Sequence, residues 1–182
     1  MTNLYDLSIG TYRRVLESTI NIMEKGASFF NEQGIDPADV VNMRLTPDMA
    51  TFSSQINFIR HHSLCAAKGI LEGSFSTPTE TPELDYQGLI KVLTETLAEL
   101  NLIDASAITA TKGKAMYFKV GDFEIPFTTE NFVLSFSLPN LYFHATTVYD
   151  MVRIKGAPIR KMDFLGNMNT GLPEPSLAPA KS

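Results

Sequence analysis

Tryptophan is absent from the chain, and cysteine occurs once, at Cys65. A single cysteine excludes an intramolecular disulfide and any zinc or iron–sulfur centre built on several thiolates. Charge is sparse as well: Asp, Glu, Lys and Arg make up 19% of 182 residues and sum to a formal −5. That sign repels nucleic acid and acidic lipid surfaces, so neither is an expected partner. No apolar run reaches the ~20 residues that span a bilayer. The longest, around Phe132 to Phe143, is broken by Ser135, Ser137, Pro139 and Asn140. The opening MTNLYDLSIG lacks a basic start followed by an apolar stretch, so no secretory signal is expected and the cytoplasm is the default location.

Hydrophobic residues make up 44% of the chain, enough for one well-filled domain, expected over residues 1–165. The remaining 166–182 are rich in Gly, Pro, Ser and Ala and read as a flexible tail. From Tyr5 to Phe30, apolar residues fall on one helical face, and Gly34 is placed to end that helix. Asp36-Pro37 suggests one short turn in the connection that follows. Thr46, Pro47 and Asp48 read as the cap and first turn of a second helix running to about Leu71. The segment after Gly73 reads as a loop, and Thr81-Pro82-Glu83 as the start of a third helix. AMYFKVGDFEIPF forms a hairpin turning at Gly121-Asp122, with Pro126 confining its second strand to an edge. A fourth helix, capped by Thr128 or Thr129, runs to about Lys155, with Pro139 expected to bend it. The fold class is therefore all-α: a four-helix bundle with a short hairpin before the last helix.

The interior of a bundle is apolar, so polar groups facing inward need partners or a function. Asp48, Gln55 and His62 are spaced by seven and form one row along the margin of the second helix's apolar face. His61 points about 100° away from His62, toward solvent. Asn140 and His144 lie one turn apart on a helix apolar over most of its circumference. Arg44 can pair with Asp48, whose carboxylate also suits a helix N-terminus with no further duty. Tyr142 adds a phenol or an aromatic wall.

Two histidines supply two metal ligands, and the neighbours of His144 at i+3 and i+4 are Thr147 and Val148, neither a good third. A divalent metal is therefore disfavoured, and no cofactor is expected. No Gly-rich phosphate loop follows a strand, and no Ser–His–acid arrangement stands out. General acid–base work by His144 or His62 stays open, because imidazole titrates near neutrality and an apolar pocket can tune it.

TYRRVLESTINIMEKG, NMRLTPDMATFSSQINF and FSLPNLYFHATTVYDMVRIKGAPIRKMDFLG resemble an uncharacterised bacterial and fungal family of the DinB/YfiT-like superfamily. The most specific pieces are Arg44-Leu45, Pro47-Asp48-Met49, Gln55, Leu138 through His144, and Asp163 to Gly166. The resemblance implies an antiparallel bundle, often homodimeric. Superfamily members that bind a divalent metal, some of them thiol transferases, use one His of the second helix and two of the fourth. Here His62 and His144 match two of those positions, and the second fourth-helix His is missing. The resemblance carries over Arg44, Asp48, Gln55, Asn140 and His144 as recurring polar positions.

The reading is a cytoplasmic, homodimeric protein that binds a small organic molecule. His144 and Asn140 would be catalytic in an isomerase, cyclase or lyase, with Arg44, Asp48, Gln55, His62 and Tyr142 holding substrate. The alternatives are a non-catalytic ligand-binding or structural dimer, and a metal-dependent thiol transferase using His62 and His144.

Overall fold

A π-helical stretch, Asp6–Gly10, leads into α1 (Thr11–Gln33) in the computed structural model, which describes residues 3–78 and 83–168. The buried face of α1 carries Tyr12, Leu16, Thr19, Ile22, Met23 and Phe30, the face its apolar spacing predicts. Gly34 ends it in the left-handed conformation, with φ at 66°. The short α2 (Pro37–Asn42) starts at Asp36, whose carboxylate accepts from the Ala38 N–H.

The second long helical run starts later than the sequence suggests. Thr46 Oγ1 donates to Asp48 Oδ1 at 2.7 Å, and the Arg44 guanidinium donates to the Met49 carbonyl. These local bonds close a turn at the point where a helix was expected to open. Thr51 is the true cap, accepting from the Ser54 N–H, and α3 spans Phe52–Arg60. A π-helical stretch, His61–Cys65, joins α3 to α4 (Ala66–Glu72).

The segment after Gly73, expected to be loop, begins with strand β1 (Ser74–Ser76). It pairs in parallel with β2 (Ala115–Val120), which pairs antiparallel with β3 (Phe123–Thr128). Gly69 permits the approach, because a Cβ there would lie 2.6 Å from the Ser74 carbonyl oxygen. Val120 faces Phe123 across Gly121-Asp122, and positive φ at Gly121 alone fits the expected type II′ turn. Pro126 sits on the edge strand, where its missing N–H costs no ladder bond.

Thr81 and Pro82 lie outside the described residues. α5 (Tyr86–Asn101) starts from Asp85, which accepts from the Gly88 N–H at 2.7 Å, and the short α6 (Ala105–Thr109) follows. Thr128 caps α7 (Thr129–Phe132), which continues through a π-helical stretch, Val133–Ser137, into α8 (Leu138–Ile154). Pro139 therefore does not break the run. The looser π-helical spacing just before it accommodates a residue without an N–H. α9 (Lys161–Leu165) is held to α1 by the Lys25–Asp163 ion pair. Of the expected tail, residues from 169 onward lie outside the described residues.

α1 packs against α5 and α8, and α3 packs against the same two helices. Among the described residues, no helix is long and apolar enough to cross a membrane. Two of the π-helical stretches meet α1 in one buried chain of hydrogen bonds. Ser137 Oγ donates to the His62 carbonyl at 2.8 Å, so its one proton is committed. It must then accept from Tyr12 OH, also 2.8 Å away. Tyr12 and Ser137 are both fully buried, so neither hydroxyl has water as an alternative. Replacing Ser137→Ala should cost about 1–3 kcal/mol, since it strands a buried phenol and a carbonyl. Tyr12→Phe on that background should cost less than it does alone, because its acceptor is already gone. Urea unfolding of the two single variants and the double variant checks both expectations.

Candidate functional site

All three histidines of the chain come together where the second and fourth helical runs meet β1. The rings of His62 and His144 lie nearly parallel, with centroids 5.8 Å apart, and His61 meets His62 edge-on at 5.3 Å. Phenylalanines wall the cluster: Phe75 lies 4.4 Å from His61, Phe136 5.7 Å from His62, and Phe58 4.7 Å from His144.

Hydrogen bonds fix two tautomers. The Gln55 amide donates from Nε2 to the Ala50 carbonyl at 3.3 Å, which turns Oε1 toward His144. His144 Nδ1, 2.7 Å from that oxygen, must therefore carry a proton, leaving Nε2 with a lone pair. His61 Nε2 lies 2.9 Å from the Ser76 carbonyl and is likewise the protonated nitrogen. His62 Nδ1 is buried with no hydrogen-bond partner among the described residues.

Burial disfavours the charged form of each ring, and the rings also repel one another's charge. His62 is pushed down to about 3, by desolvation first and then by His61 and His144. His144 is pushed down to about 4, by desolvation and then by His61. His61 moves in the same direction, mainly through burial. The site is thus a set of neutral imidazoles at pH 7, able to accept protons and carrying no charge.

The expected site residues divide. Gln55 and His62, seven apart, both meet His144 as their shared row implies. Asp48 does not continue that row, because it precedes the helix and is exposed. Arg44 is exposed too and bonds to Met49, not to Asp48. Tyr142 is exposed and accepts from Arg14 at 3.4 Å. Asn140 donates to the Phe136 carbonyl of its own helix at 2.7 Å. His61, expected in solvent, is buried at 7% exposure. It lies in a π-helical stretch, where an angle of 100° per residue no longer applies, and β1 covers it.

A second feature adjoins the cluster through Phe58. An open cleft of about 980 Å3 runs between α2, α3 and the start of α5. Val41 and Asn42 line it from α2, Ser54, Asn57 and Phe58 from α3, and Leu84, Asp85 and Tyr86 from the far side. Phe58 thus stands between the cleft and His144.

A profile of the domain of unknown function DUF1993 matches residues 4–165. The chain belongs to the DUF1993 family. Among solved structures, that of a DinB family member protein from Shewanella denitrificans is similar to the DUF1993 chain with a TM-score of 0.77 at 22% identity. The match covers 93% of this chain and 96% of that one, and at such identity the likeness is one of fold. No curated protein matches the sequence.

The divalent metal implied by the resemblance to DinB-like proteins does not fit the residues of this DUF1993 chain. His62 and His144 stack instead of converging, Gln55 occupies Nδ1 of His144, and Ser76 occupies Nε2 of His61. Among the described residues, no group of three His, Cys, Asp or Glu is placed to hold an ion.

The depressed histidines make stability depend on pH. An unfolded histidine titrates near 6.5, folded His62 and His144 well below it and His61 below it, so between those values only the unfolded chain takes up protons. Stability is therefore full above about pH 6.5 and is lost as the pH falls toward the folded values. Each histidine contributes a slope of up to about 1.4 kcal/mol per pH unit. Urea unfolding between about pH 7 and pH 5 should show this slope, shallower by about one proton in His62→Gln.

Proposed function

We propose that this DUF1993 protein binds a small organic molecule in the cleft between α2, α3 and α5. The observation that carries the reading is the cleft's size: about 980 Å3 lies at the upper end of ordinary ligand pockets. Its lining mixes apolar walls at Val41, Leu84 and Phe58 with hydroxyl, amide and carboxylate groups at Ser54, Asn42 and Asp85. Such a mixture suits a ligand held by contact area and oriented by a few polar bonds. The reading retains an antiparallel four-helix bundle for the long helical runs, and a cytoplasmic homodimer for the assembly. Exposed Tyr142, Phe143 and Ile154 on α8 support the second copy.

A second reading gives His144 a catalytic part, as the proton acceptor of a cofactor-free isomerase, cyclase or lyase. Its support is the chain Ala50–Gln55–His144, which fixes the ring so that Nε2 keeps its lone pair. Gln55 is a positioning residue in that scheme, with Phe58 between the ring and the cleft.

Two measurements test these readings. A fragment panel spanning neutral, cationic and anionic molecules should include binders that shift the amide resonances of Asn57, Phe58 and Tyr86. Ala38→Trp, which fills the cleft from its exposed α2 side, should abolish those shifts without lowering the melting temperature. Binders that shift none of these resonances would remove the cleft from the reading. For His144, ring 15N spectra should report the Nδ1–H tautomer at pH 7 and no titration above about pH 5. A titration near the ordinary histidine value would withdraw the fixed-tautomer base.

A further inference from the structure

The cleft's lining has a one-sided charge. Three carboxylates border it, from Asp36, Glu83 and Asp85, and no lysine, arginine or histidine does so among the described residues. Asp36 and Asp85 each use one oxygen, Oδ1, to cap a helix, accepting from Ala38 and Gly88. The second oxygen of each accepts from no described residue, and neither carboxylate is in an ion pair with one. Glu83 is exposed and likewise unpaired among the described residues. The helix ends offset this charge only in part: α2, α3 and α5 all start at the cleft, but two of their three caps, Asp36 and Asp85, are themselves carboxylates.

The remaining lining completes the chemical description. Thr51 and Ser54 are bonded to each other at 2.9 Å and Thr51 also accepts from the Ser54 N–H, so the pair keeps two lone pairs and one hydroxyl proton for a ligand. Phe58 presents an aromatic wall, and an aromatic face attracts a cation through its quadrupole. Val41, Leu84 and Tyr86 supply the apolar surface. An anion would meet three like charges here, offset only by the partial charges of the helix ends. A cation would meet charge, hydroxyl oxygens and an aromatic face together.

We propose that the ligand of this cleft is an organic cation, an ammonium or guanidinium group carried on an apolar or aromatic body. The inference rests on the cleft being the binding site and adds the chemical class of what enters it. The cation sits toward Asp36 and Asp85, and the body lies against Phe58 and Leu84. The histidine cluster beyond Phe58 stays neutral and does not compete for the charge.

Three probes that differ in charge test the class: phenethylamine, phenethyl alcohol and phenylpropionate, titrated into the full chain at low salt and followed by amide shifts. Phenethylamine should bind saturably, about tenfold more tightly than the alcohol, and phenylpropionate should not bind. Asp36→Asn and Asp85→Asn retain a capping side chain while removing the charge. Each should weaken the amine roughly threefold and leave both the alcohol and the melting temperature unchanged. Alcohol binding as tight as amine binding, blocked by Ala38→Trp, would overturn the cation while keeping the cleft. So would amine binding that ignores both Asn variants. Failure of every probe and of the wider fragment panel to shift Asn57, Phe58 or Tyr86 would overturn the cleft and the cation together.

Discussion

One serine hydroxyl ties the helical runs together. Ser137 gives its proton to the His62 carbonyl and takes one from Tyr12, so α1 and the second and fourth runs share a single buried bond chain. His62 and Ser137 lie in π-helical stretches, and Tyr12 lies two residues after a third. That coincidence has a physical basis. A π-helical turn loosens the regular i to i−4 ladder and lets side chains reach backbone groups that a tight helix occupies. A buried hydroxyl without water must find such a group or leave its bonding capacity unmet. The irregular turns and the hydroxyl chain support each other, and disturbing one exposes the other to the cost of an unpaired polar atom.

The same irregularity creates the histidine cluster. In a regular helix, neighbouring residues point about 100° apart, and only one of His61 and His62 would face inward. The π-helical stretch brings both to buried positions, and β1 then covers His61 with Phe75 and the Ser76 carbonyl. β1 reaches that position because Gly69 has no side chain to obstruct it. Desolvation follows from the cover, and desolvation keeps the imidazoles neutral. The electrostatic character of the cluster thus traces back to a backbone irregularity and one glycine.

Much of this was legible in the sequence, and the misses share a cause. The hairpin turn, the edge position of Pro126, a short turn at Asp36-Pro37, a cap at one of Thr128 and Thr129 and the faces of α1 follow from local chemistry. Local rules decide such features, because turn dihedrals and first-turn donors depend on neighbouring residues. Gln55, His62 and His144 were legible too, since seven-residue spacing survives one irregular turn well enough to keep Gln55 and His62 on a common partner. His61 was not, because periodicity assumes a regular helix and nothing in HHSLC announces a π-helical turn. The Thr46-Pro47-Asp48 signal failed differently. Thr46 and Asp48 bonded to each other, and the cap passed to Thr51, a competition that composition alone does not resolve. β1 was hidden because a three-residue strand owes its existence to a partner 43 residues away, not to its own propensity.

The cleft and the cluster make a pair with opposite electrostatics on the two sides of one aromatic ring. On one side, carboxylates and hydroxyls near solvent can hold charge at little cost. On the other, buried imidazoles beside Phe58 and Phe136 make any charge expensive. Phe58 is only partly buried and contacts both environments. A ligand charged at one end and apolar at the other would find its charge matched in the cleft and its body directed toward the ring. For His144 to act on such a molecule, Phe58 would have to turn aside. Phe58 therefore divides the two environments, and its rotamer sets how far a molecule in the cleft lies from the imidazole behind it.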